Sequence, residues 1–357
     1  MCIRDRYELP WEIVLETNYI GSKGTRLEDG LFAGTQNQMP LDYLYLGNAL
    51  FDSIWDHPEL PNNASPEMGW VPVYQALKPF PQYYSVRNPH FLGATSLYNS
   101  MQITATRRTE SGLSFLAAYT FSKAIGSSDA PGLGLYSYQG QDFYNRRNER
   151  SLTTFHRPHN LKVTWMYNLP FGYGQKWSSD NGFVNVLIAG WTISAIHNYR
   201  SGSPLSIVAG AYHWNDWYIG SPSAGWRGDV ILGSDAQSYG PPENIDSENG
   251  SQFLNPAAFA QPPGTDGWIP LRVGTAPRHL PDVRGPAMFS ESVAIKKVSE
   301  FPWREGMSLE IRADITNFFN RAGVGGPNTN ISSSDFGKIY SNRWGPRTWQ
   351  LGMRLNF

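Results

Sequence analysis

Cysteine is nearly absent: Cys2 is the single one in 357 residues. That excludes a disulfide framework and a cysteine-based metal centre, and one thiol does not separate cytoplasm from periplasm. Neither sign of charge is in excess. Lys and Arg number 29 against 30 Asp and Glu, a net charge of −1, so no electrostatic footprint points to nucleic acid or an anionic surface. Charged residues are only 17% of the chain, below the usual quarter. Long apolar runs are missing too. The richest stretch, FVNVLIAGWTISAI, is interrupted by Asn185 and Gly190 and is shorter than the ~18 residues a transmembrane helix needs. The opening MCIRDRYELP lacks the apolar centre of a signal peptide. None of this excludes a membrane barrel, whose strands expose apolar groups only at every second position.

What the sequence has is aromatic residues, at 14%, with 35 Gly and 26 Pro, a mixture suited to many strands joined by turns. Eight segments alternate with period two, the mark of strands with one apolar face. Trp11, Ile13, Leu15 and Tyr19 oppose Glu12, Glu16 and Asn18. Leu97, Met101, Ile103 and Ala105 oppose Ser100, Gln102, Thr104 and Arg108. Leu113, Phe115, Ala117, Tyr119 and Phe121 oppose Ser114, Thr120 and Ser122. Leu161, Val163, Trp165, Tyr167 and Leu169 oppose Lys162, Thr164 and Asn168. Trp191, Ile193, Ala195 and Tyr199 oppose Thr192, Ser194, Asn198 and Arg200. A weaker sixth segment near 288–298 sets Val293 and Ile295 against Ser292 and Lys296. Leu309, Ile311, Ala313 and Ile315 oppose Glu310, Arg312, Asp314 and Thr316. The last sets Trp349, Leu351, Met353, Leu355 and Phe357 against Thr348, Gln350, Arg354 and Asn356.

Alternation alone also fits a soluble sandwich. Three features favour an antiparallel transmembrane barrel. Connections alternate between short or moderate (RRTESG, the Pro170–Leu187 region, SEFPWREG) and long (roughly 21–95, 126–157, 201–287 and 320–346), as a barrel with tight inner turns and large outer loops requires. Long structureless loops would count against a compact soluble domain. Trp11 to Tyr19, Trp191 to Tyr199 and Trp349 to Phe357 would each cover roughly 20 Å of membrane normal at a tilt near ~40°. Finally, Glu12, Glu16, Glu310, Arg312, Asp314 and Arg354 sit on the polar faces and are candidates to line an aqueous lumen.

Several stretches resemble large TonB-dependent receptors of the Oar-like type. They are NYIGSKGTRL from Asn18, SLYNSMQITATRR from Ser96, GLSFLAAYTFSKAI from Gly112 and FYNRRNERSLTTFHRPHNLKVTWMYNLPFG from Phe143. FLNPAAFAQPPGT from Phe253 and LEIRADITNFFNRAG from Leu309 follow in order. The closing WQLGMRLNF resembles the C-terminal signature read by the barrel-assembly machinery, carried here by Trp349, Leu351, Met353, Leu355 and Phe357. The resemblance covers about Asn18 to Phe357 and is thinnest in the 26–95 loop. It implies a barrel of about 22 strands in the Gram-negative outer membrane, of which residues 1–357 are a C-terminal fragment of about eight strands. The plug domain, TonB box and signal peptide are not in the sequence, and residues 1–8 are expected to be a truncation scar without structural role. The implied partners are outer-membrane lipid, the plug and remaining strands, TonB acting through the plug, the assembly machinery and a transported ligand. No cofactor, no nucleic acid and no catalytic activity are expected.

Among loop residues, Trp214, Trp217, Tyr218 and Trp226 are ligand-stacking candidates, with ordinary loop packing as the other reading. His156 and His159 flank Pro158, which forbids the helix that would place both on one metal. Arg146, Arg147 and Arg150 beside Glu149 suit lipopolysaccharide phosphates or internal pairing. Gly132 and Gly134 lack the Lys-Ser/Thr of a phosphate loop, and Asp52, Asp56 and Glu59 have no acid–base partner that spacing can position. No G-x-S-x-G elbow is present. A passive porin-like barrel and a soluble all-β carbohydrate-binding protein are the alternatives.

Overall fold

A computed structural model describes residues 2–357 apart from 33–35, 89, 110–111, 130–139, 173–174, 179–180, 210–225, 243, 266–268, 302–305 and 344. Nine long strands run through one antiparallel sheet in chain order: β1 (Cys2–Leu9), β2 (Ile13–Leu27), β3 (Ala94–Arg107), β4 (Leu113–Gly126), β5 (His159–Asn168), β6 (Trp191–Arg200), β7 (Met288–Glu300), β8 (Ser308–Thr316) and β9 (Thr348–Asn356). The pair Ser151–Leu152 adds to the end of β4. The sheet is open, with β1 and β9 at its edges.

The eight expected strands are all present, with ends shifted by a few residues. A ninth was not expected. Cys2–Leu9, read from sequence as having no structural role, pairs in full register with β2, from Cys2 opposite Ile20 to Leu9 opposite Ile13. Trp11 and Glu12, assigned to the first strand, instead sit in the three-residue turn between β1 and β2 with positive φ of 65° and 61°. Pro10 explains why pairing stops there, since it has no N–H to donate to a ladder. Glu12 is therefore a turn residue and is withdrawn as a lumen candidate.

Register carries the alternation across the whole sheet. Following paired residues from strand to strand, Arg6, Glu16, Thr104, Ala118, Lys162, Asn198 and Ser290 fall on one face. Glu310, Arg312 and Asp314 continue it opposite Arg354, Gly352 and Gln350. The other face carries Tyr7, Leu15, Ala105, Ala117, Val163, His197 and Glu291, then Leu309, Ile311 and Ala313 opposite Leu355, Met353 and Leu351. A one-residue slip in any pair would exchange the two sets.

Among the described residues no second sheet covers the apolar face. Leu351, Met353 and Trp349 are 78%, 77% and 61% exposed, far more apolar surface in one patch than a water-soluble surface tolerates.

Short links close one end of the sheet, and the four long connections, 28–93, 127–158, 201–287 and 317–347, all leave from the other. These connections are packed against one another. Met39, Leu44, Leu50, Ile54, Val73 and Ala76 of the first form a core that also takes Ala209 and Trp226 of the third. Ile207, Phe253, Leu254, Phe259 and Leu280 of the third close on Phe336 and Ile339 of the fourth. Ile331 packs against both cores. The third and fourth loops also pair directly, Ser251–Gln252 against Lys338–Ile339.

Candidate functional site

The polar face is the first part of the site. Glu16 meets Arg4 at 2.8 Å and Arg312 meets Asp314 at 2.8 Å, while Glu310 lies opposite Arg354 in register. Five of the six sequence candidates, Glu16, Glu310, Arg312, Asp314 and Arg354, thus share one face. Three of those five, Glu16, Arg312 and Asp314, are held in cross-strand or same-strand ion pairs. Such half-exposed pairs contribute little stability, but they keep the face hydrated.

Polar-tipped aromatics run up the apolar face from mid-strand to its loop end. Trp165 Nε1 donates to His197 Nε2 at 3.0 Å, and His197 Nδ1 lies 3.2 Å from the Tyr199 hydroxyl. Glu291, opposite His197 in register, is fully buried and meets Arg321 Nε at 3.2 Å. The Arg321 guanidinium in turn lies over the rings of Phe289 and Phe319. Tyr199, next to the loop end of β6, stands where a girdle aromatic flanks the apolar band of membrane barrels.

The packed loops form the second part. Glu149 is sealed from solvent and paired with Arg227, and its Oε1 accepts from the Gln141 N–H at 2.9 Å. Arg278 donates to the carbonyls of Glu149 (3.0 Å) and Gly126 (2.8 Å) and pairs with Asp129 at 2.7 Å. Asp129 also meets His279 Nε2 at 2.8 Å, and His279 Nδ1 meets Ser206 Oγ at 2.6 Å. This chain of charges ties the second loop to the third and to the end of β4. Burial pushes Arg227 down from its usual pKa, and the carboxylate of Glu149 opposes that shift.

Of the ligand candidates, Trp226 is built into the loop core at 6% exposure, so its ring is packing rather than a stacking surface. Trp214, Trp217 and Tyr218 lie outside the described residues, as do Gly132 and Gly134. At the basic cluster Glu149 pairs with none of its three neighbouring arginines but with Arg227 of the third loop, while Arg146 lies over Phe91 and Phe143.

His156 and His159 diverge. His156 is buried and accepts from the Ala124 N–H, whereas His159 stacks on Tyr119 and Phe121. Spacing had found no partner for the first-loop carboxylates. The fold places His57 between two of them, 3.3 Å from Asp52 and 3.2 Å from Glu59. The Asp52 and Glu59 hydrogen bonds raise the His57 pKa. Among the described residues no group of three acidic, His or Cys side chains is arranged to hold a metal.

The residues of Trp165, His197 and Tyr199, the continuous two-faced register and loops gathered at one end describe the wall of a membrane-spanning strand barrel. The chain belongs to the outer membrane beta barrel domain family, whose model matches residues 6–350. It is thus an all-β antiparallel protein of the Gram-negative outer membrane, with its apolar face in contact with lipid. Comparison with curated protein sequences finds no match. Among solved structures it is similar to the outer membrane transporter YddB from Escherichia coli, at 8% identity and a TM-score of 0.41 over 100% of this chain and 32% of that one. It is also similar to the ferric citrate transporter FecA in its unliganded form, at 10% identity and 0.38 over 99% and 30%. The chain spans about a third of the length of each.

Proposed function

We propose that this chain is a barrel segment of a TonB-dependent receptor of the Oar-like type, which captures a ligand in its packed outer loops and passes it through the lumen. The observation that carries the reading is the polar face. Its register runs unbroken from β1 to β9, with charged residues on β1, β2, β5, β7, β8 and β9 and uncharged polar ones such as Gln102 and Thr120 on β3 and β4, and it rises into a loop layer cross-braced by buried ions. A lumen that admits a large solute needs such a wetted wall, and a receptor that holds its ligand before admitting it needs ordered loops rather than slack ones. The ordered motifs from Asn18 to Phe357 support the same family. In this reading Glu16, Glu310, Arg312, Asp314 and Arg354 line the lumen, and further strands close on the edges at β1 and β9. The assembly machinery reads Trp349 to Phe357, TonB acts through a plug, and the chain performs no chemical step.

Planar-bilayer conductance and in vivo cross-linking to TonB test it without knowledge of the ligand. The protein from native outer membranes is expected to be closed at rest and to cross-link to TonB. A steadily open pore with no cross-link would overturn the proposal in favour of a passive porin.

A further inference from the structure

Against a chain whose net charge is −1, four arginines from separate segments converge where the polar face meets the loops. Arg157 precedes β5, Arg200 ends β6, Arg284 precedes β7, and Arg343 lies in the fourth loop. Arg157, Arg200 and Arg343 line one small cavity of about 70 Å³ with Ser201, Gly202 and Gly285. Arg284 adjoins Gly285, and its charge acts on Arg157 together with those of Arg200 and Arg343.

These cations are not spent on one another's neighbours. Among the described residues none of the four makes an ion pair, whereas Arg4, Arg227, Arg272, Arg278, Arg312 and Arg321 all do. Arg157 donates to the carbonyls of Thr154 (2.8 Å) and His156 (2.9 Å), which fixes its head group without neutralising it. Arg284 Nη1 is buried and has no hydrogen-bond partner. The carboxylate whose field reaches Arg284 is that of Asp282, two residues away. Clustered like charges are costly, and an anion bound among Arg157, Arg200 and Arg343 removes that cost.

We propose that this cavity binds an oxyanion group, phosphate or carboxylate, of the ligand on its way from the loops into the lumen. Guanidinium forks suit such groups because they offer paired donors to paired oxygens. The volume is that of about two waters, enough for one tetrahedral or planar oxyanion and too small for a whole ligand. The glycines matter here: a Cβ on Gly202 would fall 1.7 Å from the Gly285 carbonyl oxygen, so close backbone approach is what brings the segments carrying Arg200 and Arg284 together. Arg200 shares the face of Asn160 and Met288 by register, with Lys162 one pairing step further from the loops on the same face. The site therefore belongs to the aqueous side rather than to lipid. The proposal rests on the reading that this face lines the lumen.

The test is calorimetric titration of the whole protein, purified from outer membranes in detergent, with inorganic phosphate and with pyrophosphate at low salt. Pyrophosphate is expected to bind, with affinity falling as salt rises. The double variant Arg200→Gln, Arg343→Gln, which removes two of the three lining guanidiniums, should bind at least about tenfold more weakly. Arg87→Gln with Arg147→Gln, an equal charge loss on exposed loop positions, should bind as the parent does. A parallel arm uses lipopolysaccharide micelles. Dependence on Arg200 and Arg343 in that arm alone would overturn the lumenal assignment. Absence of pyrophosphate binding, or equal binding by both double variants, would overturn the site. These outcomes are read independently of TonB cross-linking, so a missing anion site leaves the receptor proposal standing, and a missing cross-link leaves the anion site standing.

Discussion

Arg227, in the third long loop, sets its guanidinium on the carboxylate of Glu149, in the second, and the two side chains are only 7% and 0% exposed. They are 78 residues apart in sequence. With Arg278 bridging to Asp129, they convert two connections into one body fixed to the end of β4. A buried pair of this kind adds little over apolar packing, but loss of one member leaves an uncompensated charge.

Arg227→Ala should accordingly destabilise the loop layer by about 3–5 kcal/mol, and Glu149→Ala by a similar amount. Replacing both should cost less than the sum. Surface proteolysis of whole cells reports this directly: the single variants are expected to be cleaved in 127–158 and 201–287 while the strands stay protected. Unchanged protease resistance in both single variants would remove the bracing role.

Acidification should loosen the same region. Burial, then the fields of Arg284, Lys123 and Arg157, hold His156 down to a pKa of about 4 against an ordinary 6.5. The folded state thus binds fewer protons than the unfolded one between these values, so stability rises with pH across that window and is lost as pH falls from about 6.5 to about 4. The full loss is at most about 3 kcal/mol. Hydrogen exchange around Ala124 and 152–158 should accelerate in that interval. His156→Gln, which keeps an acceptor for the Ala124 N–H, should flatten the dependence; a profile identical to the parent's would assign the acid sensitivity elsewhere.

Neighbouring positions on β8 should label oppositely. With Cys2 replaced by Ser, Ile311→Cys is expected to react with a membrane-permeant maleimide and resist a charged one. Arg312→Cys should take the charged reagent, since register places it on the polar face beside Asp314. Equal reaction of both positions with the charged reagent would mean that neither face meets lipid.

The last strand offers a test of assembly. Leu351→Arg should cost about 2–4 kcal/mol if it sits near the bilayer midplane, and Phe357→Asp should lower surface abundance by impairing recognition of the terminus. Quantitative immunoblotting of outer membranes measures both. Parental levels of Phe357→Asp would exclude that residue from the assembly signal.

Much of the wall was legible in the sequence because a strand's side-chain period is two and its environment is two-sided. Leu309, Ile311 and Ala313 against Glu310, Arg312 and Asp314 announce both the element and its faces. β1 escaped because its apolar side, Ile3, Tyr7 and Leu9, is broken by Asp5, and only its ladder with β2 reveals it. The turn at Trp11 and Glu12 escaped for the opposite reason, since both residues continue the alternation and only the backbone shows them leaving the strand. In the loops, composition is silent about partners. Nothing local distinguishes Trp226, a core residue, from a ring offered to a ligand.

By itself, then, the sequence determined eight of the nine long strands, which side of each is apolar and which connections are long, because these depend on neighbours two places apart. Tertiary structure alone decided that Glu149 meets Arg227, that Asp129 meets Arg278 and His279, and that Arg157, Arg200 and Arg343 gather at one cavity. Those relationships join residues dozens of positions apart, and chain closure over such distances is set by packing and burial of the whole loop layer rather than by any local pattern.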